Sequence, residues 1–333
     1  MVHAWPAKGP KQKLERYEYD PGALGAEEVE IEVEHCGICH SDLSVINNEW
    51  GISTFPAVPG HEVVGRVVAV GPQAKGVTVG QSVGLGWSAE SCMHCRQCMS
   101  GDPNLCAQNV PTIIGHMGGF ADRVRAQWQW VIPLPDGLNR ADAGPLLCGG
   151  TTVFAPFHEY RIRPTDRVGV VGIGGLGHMG LQFAKAWGCE VTAFTSTDSK
   201  ADEARGFGAH HVVNSRSKEE LQKIAGSLDL LLVTVNVPLD WQAMIGTLAP
   251  KGRMHVVGAV LKPIPVVAFD LIMAQRSISG SPTAGPVVMA KMLEFSARHG
   301  ISPQTERFPM DQVNEALEHL AAGKARYRIV LDV

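Results

Sequence analysis

The stretch CMHCRQCMSGDPNLC carries Cys92, Cys95, Cys98 and Cys106, four of the chain's eight cysteines. Their spacing, C-x2-C-x2-C-x7-C, can present four thiolates to one ion, and four thiolates complete the tetrahedral shell of zinc. A filled shell has no place for a substrate oxygen, so the cluster is expected to clamp a loop too poor in apolar surface to fold alone. An iron–sulfur centre or four unliganded thiols are the competing readings. Further residues of metal-binding type are scattered: CGICHSD holds Cys36, Cys39, His40, Ser41 and Asp42, PGHE holds His61 and Glu62, and PLLCGG holds Cys148. Each alone says little. A lone cysteine among apolar residues is ordinarily core, a His-Glu pair is common at turns, and Cys36-x2-Cys39 also has the spacing of a redox pair. Cys36 and Cys189 read as buried packing.

The second chemical signal is VGVVGIGGLG, a strand running into Gly172, Gly174, Gly175, Leu176 and Gly177 and then a helical HMGLQFAKAWG. In such a fingerprint the first glycine permits a tight turn, the second admits a pyrophosphate and the third lets helix and strand pack closely. The helix N-terminal amides then face the phosphates. The next strand, EVTAF, is expected to end near Thr195 or Ser196, which leaves Asp198 in the loop. Ser196, Thr197 and Lys200 then make a cradle for a ribose 2′-phosphate, favouring NADP(H); a register two residues longer would restore Asp198 as a selector of NAD.

These residues need scaffolds. At 333 residues the chain is longer than one core ordinarily grows, which predicts two domains, and 45% hydrophobic residues is ordinary for a globular protein. The formal charge is −4, and Lys and Arg are scattered without a basic run, which excludes nucleic acid as the expected partner. No apolar run reaches the roughly 18 to 20 residues a membrane span needs, and the N-terminus lacks the apolar core of a secretory signal. A cytoplasmic protein is expected, with its cysteines as thiols or metal ligands rather than disulfides. From Glu27 to about Val131, short alternating segments between Gly and Pro turns predict an irregular β region. From about Pro145 strands and helices alternate, predicting right-handed βαβ units and a parallel sheet covered on both faces. Past Ser281 come two helical segments and a final strand-like YRIVLDV, whose partner domain periodicity leaves open.

The order CGICHSDL, GHEVVGRVVAVG, the four-cysteine run, PLLCGGTTV, VGIGGLGHMG and RYRIVLDV resembles the zinc-dependent medium-chain alcohol dehydrogenases over nearly the whole chain. Within them it is most similar to the cinnamyl alcohol dehydrogenase group and its bacterial broad-range aldehyde reductases. The resemblance implies an α/β protein: a GroES-like β-rich catalytic domain, residues 1–144 with 282–333 folding back onto it, and a Rossmann doubly wound parallel-sheet domain, residues 145–281. It implies two Zn2+ per chain. Cys92, Cys95, Cys98 and Cys106 would hold the structural ion, and Cys39, His61 and Cys148 the catalytic one, with water, substrate or Glu62 in the fourth position. Two thiolates and a neutral imidazole leave such a site net neutral with an open place.

By the same resemblance Asp42 orients the ligand histidine, Ser41 touches the reacting oxygen and passes its proton toward the cofactor ribose, His40 meets the pyrophosphate and Thr152 lies near the nicotinamide. Many relatives end the proton route in a histidine, where this chain has Ser44. Serine does not titrate near neutrality, so the proton is expected to leave through ribose and water. Arg328 also resembles a cofactor-contacting position, but its register in RYRIV keeps it out of the assigned sites. Trp50, Trp87, Met117 and Phe120 fall where relatives line the substrate cleft, and aromatic walls suit flat allylic or aromatic alcohols and aldehydes. A homodimer is implied as well. Three rivals compete: an NAD-linked zinc alcohol or polyol dehydrogenase using Asp198, a non-catalytic zinc- and nucleotide-binding protein, and a zinc-ribbon nucleic-acid module, which the charge disfavours.

Overall fold

The computed structural model describes residues 1–333, with the side chain of Asp198 outside the description. Two compact units account for the chain: Met1–Thr151 together with Thr283–Val333, and Thr152–Pro282. No helix among the described residues is long and apolar enough to cross a membrane.

The first unit is built on a seven-stranded sheet. Its longest strand, Glu28–Ile38, alternates as EVEIEVE, and Val29, Ile31 and Val33 are buried as a half-buried strand requires. Glu30 breaks the pattern by being buried on the other face. Arg123 Nη1 and Arg125 Nε, from the neighbouring strand Arg123–Gln127, donate to its two oxygens at 2.9 and 2.8 Å, so the charge is matched. Val63–Val70 pairs antiparallel on one side of Glu28–Ile38, and Arg328–Asp332 pairs antiparallel at its end, Ile329 opposite Ile38. The last strand of the chain thus lies beside the strand that leads to Cys39.

The second unit is a six-stranded, wholly parallel sheet. In space its strands run His211–Asn214, Glu190–Thr195, Arg167–Val171, Leu228–Val233, Leu248–Val256 and Ser277–Gly280. This is the 3-2-1-4-5-6 order of the Rossmann sheet, and its central strands, RVGVV and LDLLLV, are nearly continuous apolar runs because helices cover both faces. The GroES-like plus Rossmann architecture expected of the sequence is the one found. The first strand, Arg167–Val171, lies at the point where the strand order reverses, and it delivers the glycine turn there.

Candidate active site

Helix α1, His40–Asn47, begins directly after Cys39, and its third residue organises the site. The Asp42 carboxylate accepts the Cys39 backbone N–H at 2.8 Å, as a carboxylate in a first helical turn is placed to do. Its other oxygen accepts the Gly60 N–H at 2.9 Å and lies 3.0 Å from His61 Nδ1. With Nδ1 committed to Asp42, Nε2 turns toward Cys148 Sγ, 3.3 Å away. Burial opposes a charge on His61, and the adjoining Asp42 carboxylate outweighs it, holding the imidazole pKa well above its ordinary value.

Cys39, His61, Glu62 and Cys148 offer ligand atoms that all lie within 4.8 Å of one another. The first three are buried and Cys148 is half-buried, so the cluster opens on the Cys148 side. Glu62 Oε1 pairs with Arg328 Nη2, and both side chains are buried. Glu62 Oε2 is buried without a hydrogen-bond partner among the described residues. A Cβ at residue 37 would meet that oxygen at 2.0 Å, so Gly37 is what makes room for it. Burial pushes the Glu62 carboxyl up to about 7 against the pull of Arg328. Two sulfurs, an imidazole nitrogen and an orphaned carboxylate oxygen facing one another fit a soft-to-borderline dication such as zinc.

The second cluster is tighter in sequence. Cys95 and Cys98 sulfurs are 3.5 Å apart, Cys92 and Cys106 3.6 Å, and Cys92 and Cys98 3.9 Å. A tetrahedron of zinc–sulfur bonds has edges of about 3.8 Å, so these spacings fit one ion. The backbone N–H groups of Cys95 and Gln108 donate to Cys92 and Cys106 sulfurs, both at 3.3 Å.

In the parallel-sheet unit the three fingerprint glycines have three different surroundings. Gly172 has φ +90, a Cβ at Gly174 would meet nothing within 4 Å, and a Cβ at Gly177 would strike the Gly172 carbonyl oxygen at 1.8 Å. Turn, open approach and close packing are the roles a dinucleotide site asks of them. Gly175 and Leu176 form the turn into the helix Gly177–Trp187. The second strand ends at Thr195, whose Oγ1 donates to the Thr197 carbonyl at 3.0 Å, so Ser196 and Thr197 stand exposed just beyond it. Lys200 Nζ donates to the Ile173 carbonyl at 3.0 Å and so braces the glycine turn as well as bordering the polar loop. Asp198, on which the NAD-linked alternative rests, lies outside the described residues. Thr152 is nearly buried and His40 is exposed.

The aromatic candidates divide. Trp87 stands edge-on to His61 with centroids 5.0 Å apart, and Trp50 stands edge-on to Trp87 at 6.1 Å. Both are half-buried beside Val45, Ala57 and Ile113, so they can wall a space next to the ligand cluster. Met117 is half-buried against the main β core. Phe120 is a correction: it has no accessible surface and packs in that core, its ring closing over Gly60. Phe120 lies in the bend before the strand Arg123–Gln127, where its N–H donates to the Pro59 carbonyl at 2.9 Å and its carbonyl accepts the Trp5 N–H at 2.8 Å. This fixes the ring inward, and Phe120 contributes packing rather than a cleft wall.

Two residues in these sites had no motif to announce them, and a third, Arg328, was noticed for another contact. Arg328 is buried at the start of the final strand and pairs with Glu62, and the signal for that pairing was the need of buried Glu62 for a counter-charge. His178, fully buried, has Nδ1 2.9 Å from the Gly174 carbonyl and steadies the glycine turn from within its own helix. Glu49, just past α1, receives the Ser44 hydroxyl.

Comparison with known proteins agrees with this geometry. The family model described as Alcohol dehydrogenase GroES-like domain matches residues 25–136, and that described as Zinc-binding dehydrogenase matches residues 175–298. The chain is 55% identical to Aldehyde reductase AdhA of Synechocystis sp., over 99% of this chain and 98% of that one. Among solved structures it resembles a Sorghum bicolor cinnamyl alcohol dehydrogenase with TM-score 0.95 and 37% identity, covering 99% of this chain and 97% of that one. A Helicobacter pylori cinnamyl alcohol dehydrogenase complexed with NADP(H) matches with TM-score 0.90 and 27% identity, over 99% and 97%. A buried Cys–His–Glu–Cys cluster, a separate four-cysteine lobe and a Rossmann sheet thus occur together in a chain that belongs to the zinc-dependent medium-chain alcohol dehydrogenases and aldehyde reductases.

Proposed function

We propose that this protein interconverts aldehydes and primary alcohols with NADP(H), that its substrates are allylic or aromatic, and that each chain holds two zinc ions. The observation that carries the reading is the convergence of Cys39, His61, Glu62 and Cys148, with one buried carboxylate oxygen left without a protein partner. Zinc held there would polarise the substrate oxygen as a Lewis acid, and NADP(H) would supply or accept the hydride.

The chain's own residues do the rest. Asp42 fixes the His61 ring so that Nε2 faces the cluster. Arg328 balances Glu62, so the carboxylate remains buried beside the ligands. Ser41 Oγ lies 3.8 Å from Cys39 Sγ, close enough to hold and move a proton at the edge of the centre. Trp50 and Trp87 exclude water from the open side and offer ring faces to a flat substrate. Exposed Ser196 and Thr197, with Lys200 behind them, favour a 2′-phosphate, and the Helicobacter relative crystallised with NADP(H) supports that choice.

The direct test is metal analysis with a panel of cinnamyl, benzyl, terpenoid and short aliphatic aldehydes assayed with both reduced cofactors. Two zincs per chain and a KM for NADPH at least about tenfold below that for NADH are expected, tenfold corresponding to about 1.4 kcal/mol. A preference for NADH would overturn the Ser196–Lys200 reading, and one zinc without turnover would favour the non-catalytic alternative. A cytoplasmic location is part of the same reading: none of the eight cysteines is in a disulfide, and six of them fall in the two ligand clusters.

The four-cysteine lobe has a structural role in this reading. Cys98→Ser is expected to cost about 2–3 kcal/mol, seen as a fall in Tm of roughly 5–10 °C, while the surviving folded protein keeps its activity within a few-fold. Loss of activity at unchanged Tm would refute the structural assignment.

We also propose a homodimer, built on the Ser277–Gly280 edge of the parallel sheet. That strand pairs on one side only, and the adjoining helix Ala268–Ala274 presents Phe269, Ile272 and Met273 at more than 60% exposure. Such a patch beside an open sheet edge needs cover. Ile272→Glu should convert the dimer to monomer in sedimentation analysis; an unchanged mass would place the interface elsewhere.

A further inference from the structure

We propose that Glu49 is a positioning residue that, through Ser44, opens a proton exit at the end of α1, a role resting on the dehydrogenase reading above. Ser41 and Ser44 are three residues apart on α1 and therefore share a face of the helix. Ser44 is nearly buried, and its hydroxyl donates to Glu49 Oε2 at 2.8 Å. Glu49 itself is exposed.

The turn after α1 is shaped to make this contact. Asn48 caps the helix in the left-handed region, φ 54, and the chain folds back so that the Glu49 N–H donates to the Ser44 carbonyl at 2.9 Å. Asn47 Nδ2 holds the second carboxylate oxygen at 3.1 Å. A carboxylate just beyond a helix C-terminus faces the negative end of the macrodipole, so this placement is not what helix stability favours. The compensation is local: hydrogen bonds from Ser44 and then Asn47, with His40 and Lys11 as the charged groups facing it, hold the Glu49 carboxyl below the usual glutamate range.

An ionised carboxylate only accepts, so the Ser44 O–H must point outward to it. Ser44 Oγ then keeps lone pairs that can accept a proton from a water on the helix face it shares with Ser41. During alcohol oxidation Ser44 Oγ accepts a proton from a hydroxyl or water on the Ser41 side as its own proton passes to Glu49 Oε2. The exposed carboxyl then returns that proton to bulk water. During aldehyde reduction the same transfers run backward, and no electrons move in either direction. This exit stands beside the route through ribose and water that the serine at position 44 leads one to expect.

The test uses the full-length, zinc-loaded enzyme and the variants Glu49→Gln, Ser44→Ala and Ser44→His. Glu49→Gln is expected to lower kcat for alcohol oxidation near neutral pH about tenfold, below the usual general acid–base contribution because water substitutes at an exposed site. KM for NADP+ and zinc content should stay unchanged. Imidazole buffer should restore the lost rate, which a merely structural defect would not allow. Ser44→His should turn over well and acquire a pH limb near about 6.5, the ordinary imidazole value. Independently of turnover, 13C NMR titration of the cofactor-free protein should show the Glu49 carboxyl titrating higher in Ser44→Ala than in wild type. An unchanged kcat in Glu49→Gln, no rescue by imidazole, or an unmoved Glu49 titration would each overturn the exit. Wild-type protein with no NADP(H)-linked turnover would overturn the functional reading and the exit with it, whereas equal turnover in wild type and Glu49→Gln would overturn the exit alone.

Discussion

Cys148→Ser is expected to lower kcat/KM for aldehyde reduction by about 10³-fold or more while the protein stays folded. Cys148 is the only member of its cluster that is not buried, and it sits directly before the helix Gly149–Glu159. The hydroxyl is nearly the same size as the thiol, so packing survives. What disappears is a soft anionic ligand, since a serine hydroxyl does not ionise near neutrality and binds zinc poorly. Lewis-acid polarisation of a carbonyl is worth several kcal/mol, and each 1.36 kcal/mol is a factor of ten in rate, so a loss of about 4 kcal/mol is a thousandfold. Zinc content should fall from two per chain toward one, and the Tm should change little because the lobe at Cys92–Cys106 keeps its ion. Turnover within tenfold of wild type, with only one zinc bound, would show that this cluster is not the reacting centre.

The two clusters differ in how far sequence alone can reach them. Cys92 to Cys106 lie within one short loop, and a local spacing is enough to imply a closed tetrahedron. Cys39, His61 and Cys148 are brought together by a sheet and two turns, so no spacing ties them; only the resemblance of several ordered segments joined them. The glycine fingerprint was legible because strand, turn and helix are consecutive, and each glycine's surroundings match its expected role.

What sequence left out has a common physical cause. The final strand pairs with Glu28–Ile38 across about 300 residues of chain, and hydrophobic alternation is the same whichever strand it joins. Phe120 and Trp87 are both aromatic residues next to glycines in bends between strands, yet one fills the core and the other meets His61, because in a bend the facing is set by long-range backbone contacts and not by residue type or alternation. The Ser44–Glu49 contact depends on a left-handed Asn48, a backbone choice that Asn permits but does not dictate. Arg328 and Glu62 are 266 residues apart, and their pairing follows only once both are known to be buried.

That buried pair yields the second large effect. Arg328→Met, tested in zinc-free protein by chemical denaturation above about pH 8, should cost about 3–5 kcal/mol, because it strands Glu62 as a buried carboxylate without its counter-ion. Toward neutral pH the loss should shrink, since burial already holds the Glu62 carboxyl at about 7 and without Arg328 it takes up a proton more readily. The methionine replaces most of the lost volume, so the loss is electrostatic more than steric. Arg328 Nε has no hydrogen-bond partner among the described residues; Nη2 meets Glu62, and Cys39 and Cys148 are the other ionisable groups its charge acts on. Glu62→Gln added to Arg328→Met should therefore recover most of the stability, since neither buried residue then carries a charge. Zinc-loaded Arg328→Met should lose less than the zinc-free form, because a dication beside Glu62 supplies part of the missing positive charge. If Arg328→Met is as stable as wild type, or if Glu62→Gln fails to rescue it, the ion pair is not what holds Glu62 in the site. The counter-charge to the orphaned carboxylate must then be sought in the bound metal alone.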